Sequence, residues 1–193
     1  GSGDYSVDEV RVPAGRWVQV GGTPRIDRTL YRFSFFGALA VGVAAVGLGL
    51  ARRAVDELVD LAGAKRPQGS TKTLAERPVV QVQLAEADAG RRAARHLLDH
   101  AIAEAWDAAE RRDDLDTARV ALRQAATHAM TTSASVVDTC YAAAGGAAVY
   151  ETSPLQRLLR DVHVATQHAM VAPRTMEVVG RSRFGLTTDL RQL

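Results

Sequence analysis

A single cysteine, Cys140, in 193 residues rules out a disulfide within the chain and suits a reducing compartment, so a cytoplasmic location is expected. Net charge is nearly absent too. Lys and Arg number 24 against 22 Asp and Glu, which leaves +2 and no electrostatic case for binding nucleic acid or an anionic membrane. No phosphate-binding glycine fingerprint follows a strand, and no GxSxG turn occurs. Internal repeats and low-complexity tracts are missing as well. The length allows one domain with a sizeable core but not two full domains. Strand signal is confined to residues 4–20, where Val7, Val10 and Val12 alternate with polar residues until Pro13 and Gly15 break the pattern.

Charge is also missing from one long stretch, Phe33 to Ala51, nineteen residues without an acidic or basic group. That meets the length of a membrane span, about 18 apolar residues. Most of these residues are Ala, Gly and Val, which insert weakly. The helix also continues past Arg52 and Arg53 in amphipathic form, with Ala54, Val55, Leu58, Val59 and Ala62 at helical spacing. The pattern therefore predicts a helix shielded by protein, not a membrane span. Small residues at Gly37, Gly42, Ala45 and Gly49 suit close helix packing at a bundle centre or a subunit interface.

The rest reads as helix. The first long helix is predicted from about Asp27 to Ala64. Thr73 and Glu76 have capping-box spacing, and Pro78 falls near the first turn of a second long helix, with apolar positions Leu84, Leu97, Leu98, Ile102 and Trp106. Asp116 opens a third, which ends at Gly145 and Gly146, residues able to take left-handed geometry. Ser153 and Pro154 open a fourth through LQRLLRDVHVATQHAM, which Pro173 stops or kinks. These signals predict an all-α, antiparallel four-helix bundle with a short N-terminal β remnant.

The five histidines do not cluster. His96 and His100 have i, i+4 spacing but lack the acid of HExxH and stand among Arg91, Arg92 and Arg95, so they read as a solvated face. On a helical wheel Leu155, Leu158, Leu159, Val162 and Ala169 share one side of the fourth helix, with Arg157, Asp161 and His168 opposite. Cys140 reads as a small core hydrophobe, not a nucleophile.

The run AAAGGAAVYETSPLQRLLRD carries more. Gly145, Gly146, Pro154, Arg157, Arg160 and Asp161 fall in register over seventeen residues with a pattern of the acyl-CoA dehydrogenase superfamily, and the run resembles that superfamily's C-terminal helical domain. VDEVRVP resembles the strand and proline that leave its middle β domain. The resemblance implies two parts: residues 1–26 as the terminal edge of that β domain, and 27–193 as the helical bundle. It also implies a chain incomplete relative to the family, missing much of the flavin pocket.

Departures from the pattern narrow the activity. Where many dehydrogenases carry IYEGT, whose glutamate removes a proton from the acyl thioester, this chain has Gln167, His168 and Ala169. Some members supply the base from the first C-terminal helix, but no Asp or Glu stands between Asp27 and Asp56. The SPLQR…RDVHVATQH form is more similar to the oxygenase components of two-component flavin-dependent monooxygenases. That similarity implies FMN or FAD, supplied reduced by a separate flavin reductase, and a small aromatic or heteroatom substrate. It implies His168 as the catalytic histidine, with His163 as the fallback, and Gly145 and Gly146 close to flavin phosphate. A homotetramer is expected from the family. An acyl-CoA dehydrogenase fragment and a non-catalytic assembly bundle are the alternatives.

Overall fold

The side chain of Ser34 caps the start of a helix. Its hydroxyl accepts from the Gly37 amide at 3.0 Å and donates to the Leu193 carbonyl at 2.9 Å. The helix expected from Asp27 to Ala64 is therefore two: α1 (Thr29–Arg32) and α2 (Phe35–Ala64), capped at Ser34. This computed structural model describes residues 3–19, 24–190 and 193. The capping box forms, with the Thr73 amide donating to Glu76 Oε2 at 2.6 Å, but it closes a short 3-10 turn, Leu74–Glu76. The next long helix, α3 (Pro78–Arg111), starts afresh with Pro78 in its first turn. Then come α4 (Asp116–Ala144), a 3-10 turn (Gly145–Val149), α5 (Pro154–Thr166) and α6 (Thr175–Arg183).

Helices α2 to α5 make the four-helix bundle, with α4 at its centre, packed on α2, α3, α5 and α6. Register fixes direction. Gly37 lies under Leu122, Gly47 under Met130, and Lys65 bonds Ala144, so α2 and α4 run the same way. Residues 83–90 of α3 face 132–139 of α4 while 97–104 face 121–125, so α3 runs against them.

The core is mostly alanine. Ala40, Ala44, Ala51 and Ala54 of α2 share one buried cluster with Ala125, Ala126 and Ala129 of α4, with Leu58, Leu122, Met130 and Leu155 as the large buried side chains. Small side chains let the helix axes approach, and two glycines allow the nearest contacts. A Cβ on Gly37 would stand 2.6 Å from Leu122 Cδ2, and one on Gly47 2.9 Å from Met130 Cε. Gly42 and Gly49 have open space instead, and Ala45 is exposed. Only part of the predicted small-residue set therefore faces the core. On α3 the core face is Ala87, Ala94, Leu98, Ala101 and Ala105, whereas Leu97 and Trp106 are exposed. Cys140 is buried in this core, and burial pushes its thiol up to about 11, which suits packing and not nucleophilic attack.

Helix α2 is long and apolar enough to cross a membrane by length and composition, and a third of its most apolar stretch is buried inside the chain. Its other face, Phe35, Leu39, Gly42, Val46 and Gly49, is exposed.

Three expectations need correction. Among the described residues there is no strand: Val7, Val10 and Val12 are exposed, because a strand needs a neighbour to take its backbone hydrogen bonds and none lies beside this segment. Residues 1, 2 and 20–23 of the expected β edge lie outside the described residues. The fourth helix ends at Thr166, well before Pro173. The Thr166 hydroxyl turns back onto the His163 carbonyl at 2.7 Å, and the Gln167 and His168 amides bond three residues back, to Val164 and Ala165, which tightens the chain into a turn. Ala169 is consequently exposed, not on the buried side, and α6 follows as an element the sequence did not announce.

Candidate functional site

Helix α5 organises the predicted site residues. Leu155, Leu158 and Val162 bury one side of it against the bundle, as their spacing predicts. The opposite side carries the Arg157–Asp161 ion pair at 3.3 Å, His163 and the exposed Val164. The diglycine turn precedes α5 and His168 follows it. The helix itself covers about 20 Å with its 13 residues.

His168 sits in the turn that ends α5, exposed to solvent. Its carbonyl accepts from the Val171 amide at 2.9 Å, and Val171 is buried, so the turn is pinned to the core. The Met170 amide donates to His168 Nδ1 at 3.2 Å. A nitrogen that accepts cannot carry the proton, so the neutral ring holds its hydrogen on Nε2 and presents a donor outward. His163 is differently placed: its Nε2 lies 2.8 Å from Asp138 Oδ1 of α4. Early termination of α5 separates His168 from the Arg157–Asp161 line with which the helical wheel grouped it.

Gly145 ends α4 with φ 58 and ψ −149, a conformation essentially reserved for glycine. Gly145 and Gly146 are both exposed, and a Cβ on Gly146 would meet nothing within 4 Å. Here the chain offers bare, reachable backbone. Lys65, at the end of α2, donates through Nζ to the Ala144 carbonyl at 2.6 Å and comes within 3.8 Å of a Cβ built on Gly145. Lys65 and Asp138 were missed in the sequence. Lys65 closes a contact over 79 positions and Asp138 one over 25, and no local spacing reports either.

The other histidines stand apart. His100 pairs with Glu104 at 3.4 Å along α3, and His128 lies 3.4 Å from the Thr132 hydroxyl on α4. Among the described residues no three His, Cys, Asp or Glu groups gather as a metal site. Two shallow creases between α3 and α4, of about 230 and 330 Å³, include none of the predicted site residues.

Comparison with known proteins places this arrangement. The sequence is 34% identical over 188 residues to indole-3-acetate monooxygenase of Pseudomonas putida, covering 96% of this chain and 48% of that protein. An indole-3-acetate monooxygenase of Acinetobacter baumannii is 29% identical over the same coverage. The chain thus spans about half the length of the curated relatives it matches. Among solved structures, XiaF from a Streptomyces species, in complex with FADH2 and glycerol, superposes with a TM-score of 0.77 at 28% identity, over 83% of this chain and 41% of that one. The family pattern described as acyl-CoA dehydrogenase, C-terminal domain, matches residues 41–173, from within α2 to just past the His168 turn. The chain belongs to the acyl-CoA dehydrogenase C-terminal domain family.

Proposed function

We propose that this chain forms the C-terminal helical domain of a flavin-dependent monooxygenase, which hydroxylates an aromatic or heteroatom-bearing small molecule with reduced flavin and oxygen. A separate reductase supplies the reduced flavin. The observation that carries the reading is that Ala169 fills the position where the dehydrogenase pattern has its carboxylate, with the imidazole of His168 next to it in the chain. No Asp or Glu occurs between Asp161 and Glu177, and none between Asp27 and Asp56. Removing the weakly acidic α-proton of a thioester calls for a positioned base, and neither segment offers one.

His168 suits a different task. With Nδ1 occupied by the Met170 amide, the ring presents Nε2–H, a hydrogen-bond donor for a substrate phenol or indole or for the flavin edge. The pinned turn holds that donor in place at little entropic cost. The exposed, side-chain-free backbone at Gly145 and Gly146 fits a phosphate-bearing cofactor such as FMN or FAD. Such a flavin, bound in its reduced form, supplies the oxygen chemistry, and the protein orients substrate and excludes water.

The exposed apolar face of α2 supports assembly into a homo-oligomer, a tetramer in this reading. Arg52, Arg53 and Asp56 continue the same face, so protein and water suit it better than lipid along its length. A cytoplasmic setting fits the buried, reduced Cys140.

The test adds reduced flavin, oxygen and an indole or a phenol to the full-length protein. Hydroxylated product is expected, and His168→Ala should lower its rate by about 10² to 10³-fold. Bleaching of bound FAD by acyl-CoA, with no hydroxylated product, would overturn the reading.

A further inference from the structure

We propose that Thr166 is a positioning residue for the His168 imidazole: its hydroxyl ends α5 ahead of His168 and so places the ring in the turn where one nitrogen is held as an acceptor and the other is presented as a donor. The proposal rests on the monooxygenase reading above and concerns how the donor of that site is aimed. Nothing in the sequence from Gln167 to Ala172 forbids further helix, since glycine and proline are absent until Pro173. The stop therefore has a local cause.

The hydrogen bonds supply that cause. In a continuing helix the His163 carbonyl would accept from the Gln167 amide, four residues on. Here the Thr166 hydroxyl takes that carbonyl at 2.7 Å, and the Gln167 amide turns to Val164 at 3.1 Å, followed by the His168 amide to Ala165 at 3.1 Å. Gln167 Nε2 donates to Thr166 Oγ1 at 3.0 Å, which directs the hydroxyl's own hydrogen to His163. Three hydroxyls of α4 make the contrast. Thr131, Ser133 and Thr139 bond the carbonyls of Thr127, Ala129 and Ser135, each four residues back, and α4 runs on past all of them. A bond four residues back adds to the helical ladder, whereas the bond three back at Thr166 displaces a rung. Downstream, the Met170 amide donates to His168 Nδ1 at 3.2 Å. That bond requires the turn, because in a helix the same amide would serve the Thr166 carbonyl.

The experiment compares Thr166→Val, which keeps the shape and the β-branch but removes the hydroxyl, with Thr166→Ser, which keeps the hydroxyl. Thr and Val have similar helix propensities, so the comparison isolates the hydrogen bond. NMR of the isotope-labelled 193-residue chain, in alkaline buffer where ordinary imidazoles are neutral, reads the His168 ring nitrogens and the backbone carbon shifts of residues 167–169. The parent chain should show turn-like shifts and the tautomer protonated on Nε2. In Thr166→Val residues 167–169 should become helical and the tautomer preference of His168 should fall about fivefold, the size of one neutral hydrogen bond, while the Leu155 and Leu158 methyl signals stay in place. Hydroxylation by full-length Thr166→Val should fall by a similar factor, and Thr166→Ser should restore the shifts, the tautomer and the rate. Unchanged shifts and tautomer in Thr166→Val, a lower rate with the tautomer unchanged, or a Thr166→Ser chain that behaves like Thr166→Val would overturn the proposal. If the full-length parent forms no hydroxylated product, the monooxygenase reading falls, while the ring-nitrogen and carbon shifts still decide whether Thr166 places His168, so the two failures are distinguishable.

Discussion

His163 and Asp138 join α5 to α4 through a 2.8 Å contact between Nε2 and Oδ1, on a surface where both side chains are about half exposed. The contact engages His163 Nε2, whereas the hydrogen bond at His168 is to Nδ1 and leaves its Nε2 free as a donor. Asp138→Ala should therefore cost under about 1 kcal/mol in urea unfolding, the usual range for an exposed pair. Hydroxylation should change by no more than a few-fold, against the far larger loss for His168→Ala. A collapse of activity in Asp138→Ala would make the pair part of the chemistry.

The glycines of α2 divide by what lies above them. Gly37→Ala forces a methyl to 2.6 Å from the buried Leu122 and 2.9 Å from the Ser34 hydroxyl, so a loss of about 1 to 3 kcal/mol is expected. Gly42→Ala and Gly49→Ala meet nothing, and the better helix propensity of Ala should raise stability by up to about 1 kcal/mol. Thermal unfolding of the separate variants checks the sign. If Gly42→Ala stabilises the protomer yet shifts sedimentation toward smaller species, the outer face of α2 is an assembly contact.

Thr127 is buried in α4, and among the described residues its hydroxyl has no hydrogen-bond partner. Replacing that hydroxyl by a methyl of similar shape removes the penalty of an unsatisfied polar atom. Thr127→Val should raise stability by up to about 1 kcal/mol. A loss of that size would show that the hydroxyl has a partner in solution, such as a trapped water.

Asp27 stands between Arg112, past the end of α3, and Arg32 of α1. The hydrogen bond from Arg112, followed by the charges of Arg112 and Arg32, holds its carboxyl below the usual 3.8. A depressed carboxyl contributes stability above its unfolded value, and that contribution is lost as pH falls through the lowered one. Asp27→Asn should thus differ from the parent at neutral pH and converge with it in acid. Parallel unfolding curves down the pH scale test this, and a gap that widens in acid would contradict it.

Much of the fold was legible because local chemistry marks it. Thr73 with Glu76 and Pro78, Ser153 with Pro154, and Gly145 each show in the sequence where a turn or helix begins or ends, and each does so in the structure. The faces were harder. Along the first half of α2 every side is apolar, so periodicity has no contrast with which to separate Gly37 from Gly42. On α3 the larger residues Leu97 and Trp106 drew attention from the alanines that fill the core, because tight packing rewards small volume here. Long-range bonds were invisible: Ser34 to Leu193 divides α1 from α2 across 159 positions. His168 was singled out only through resemblance, and its setting in a turn was not foreseen, since nothing in VATQHAM announces that Thr166 folds back on His163.

Because α5 stops at Thr166, the orientation of the His168 ring is set by the loop through Val171 and not by helical register. The anchor at Val171 and the amide of Met170 can change while Leu155, Leu158 and Val162 keep α5 seated. Changes at Ala169 and Met170 can therefore reorient the imidazole without remaking the scaffold.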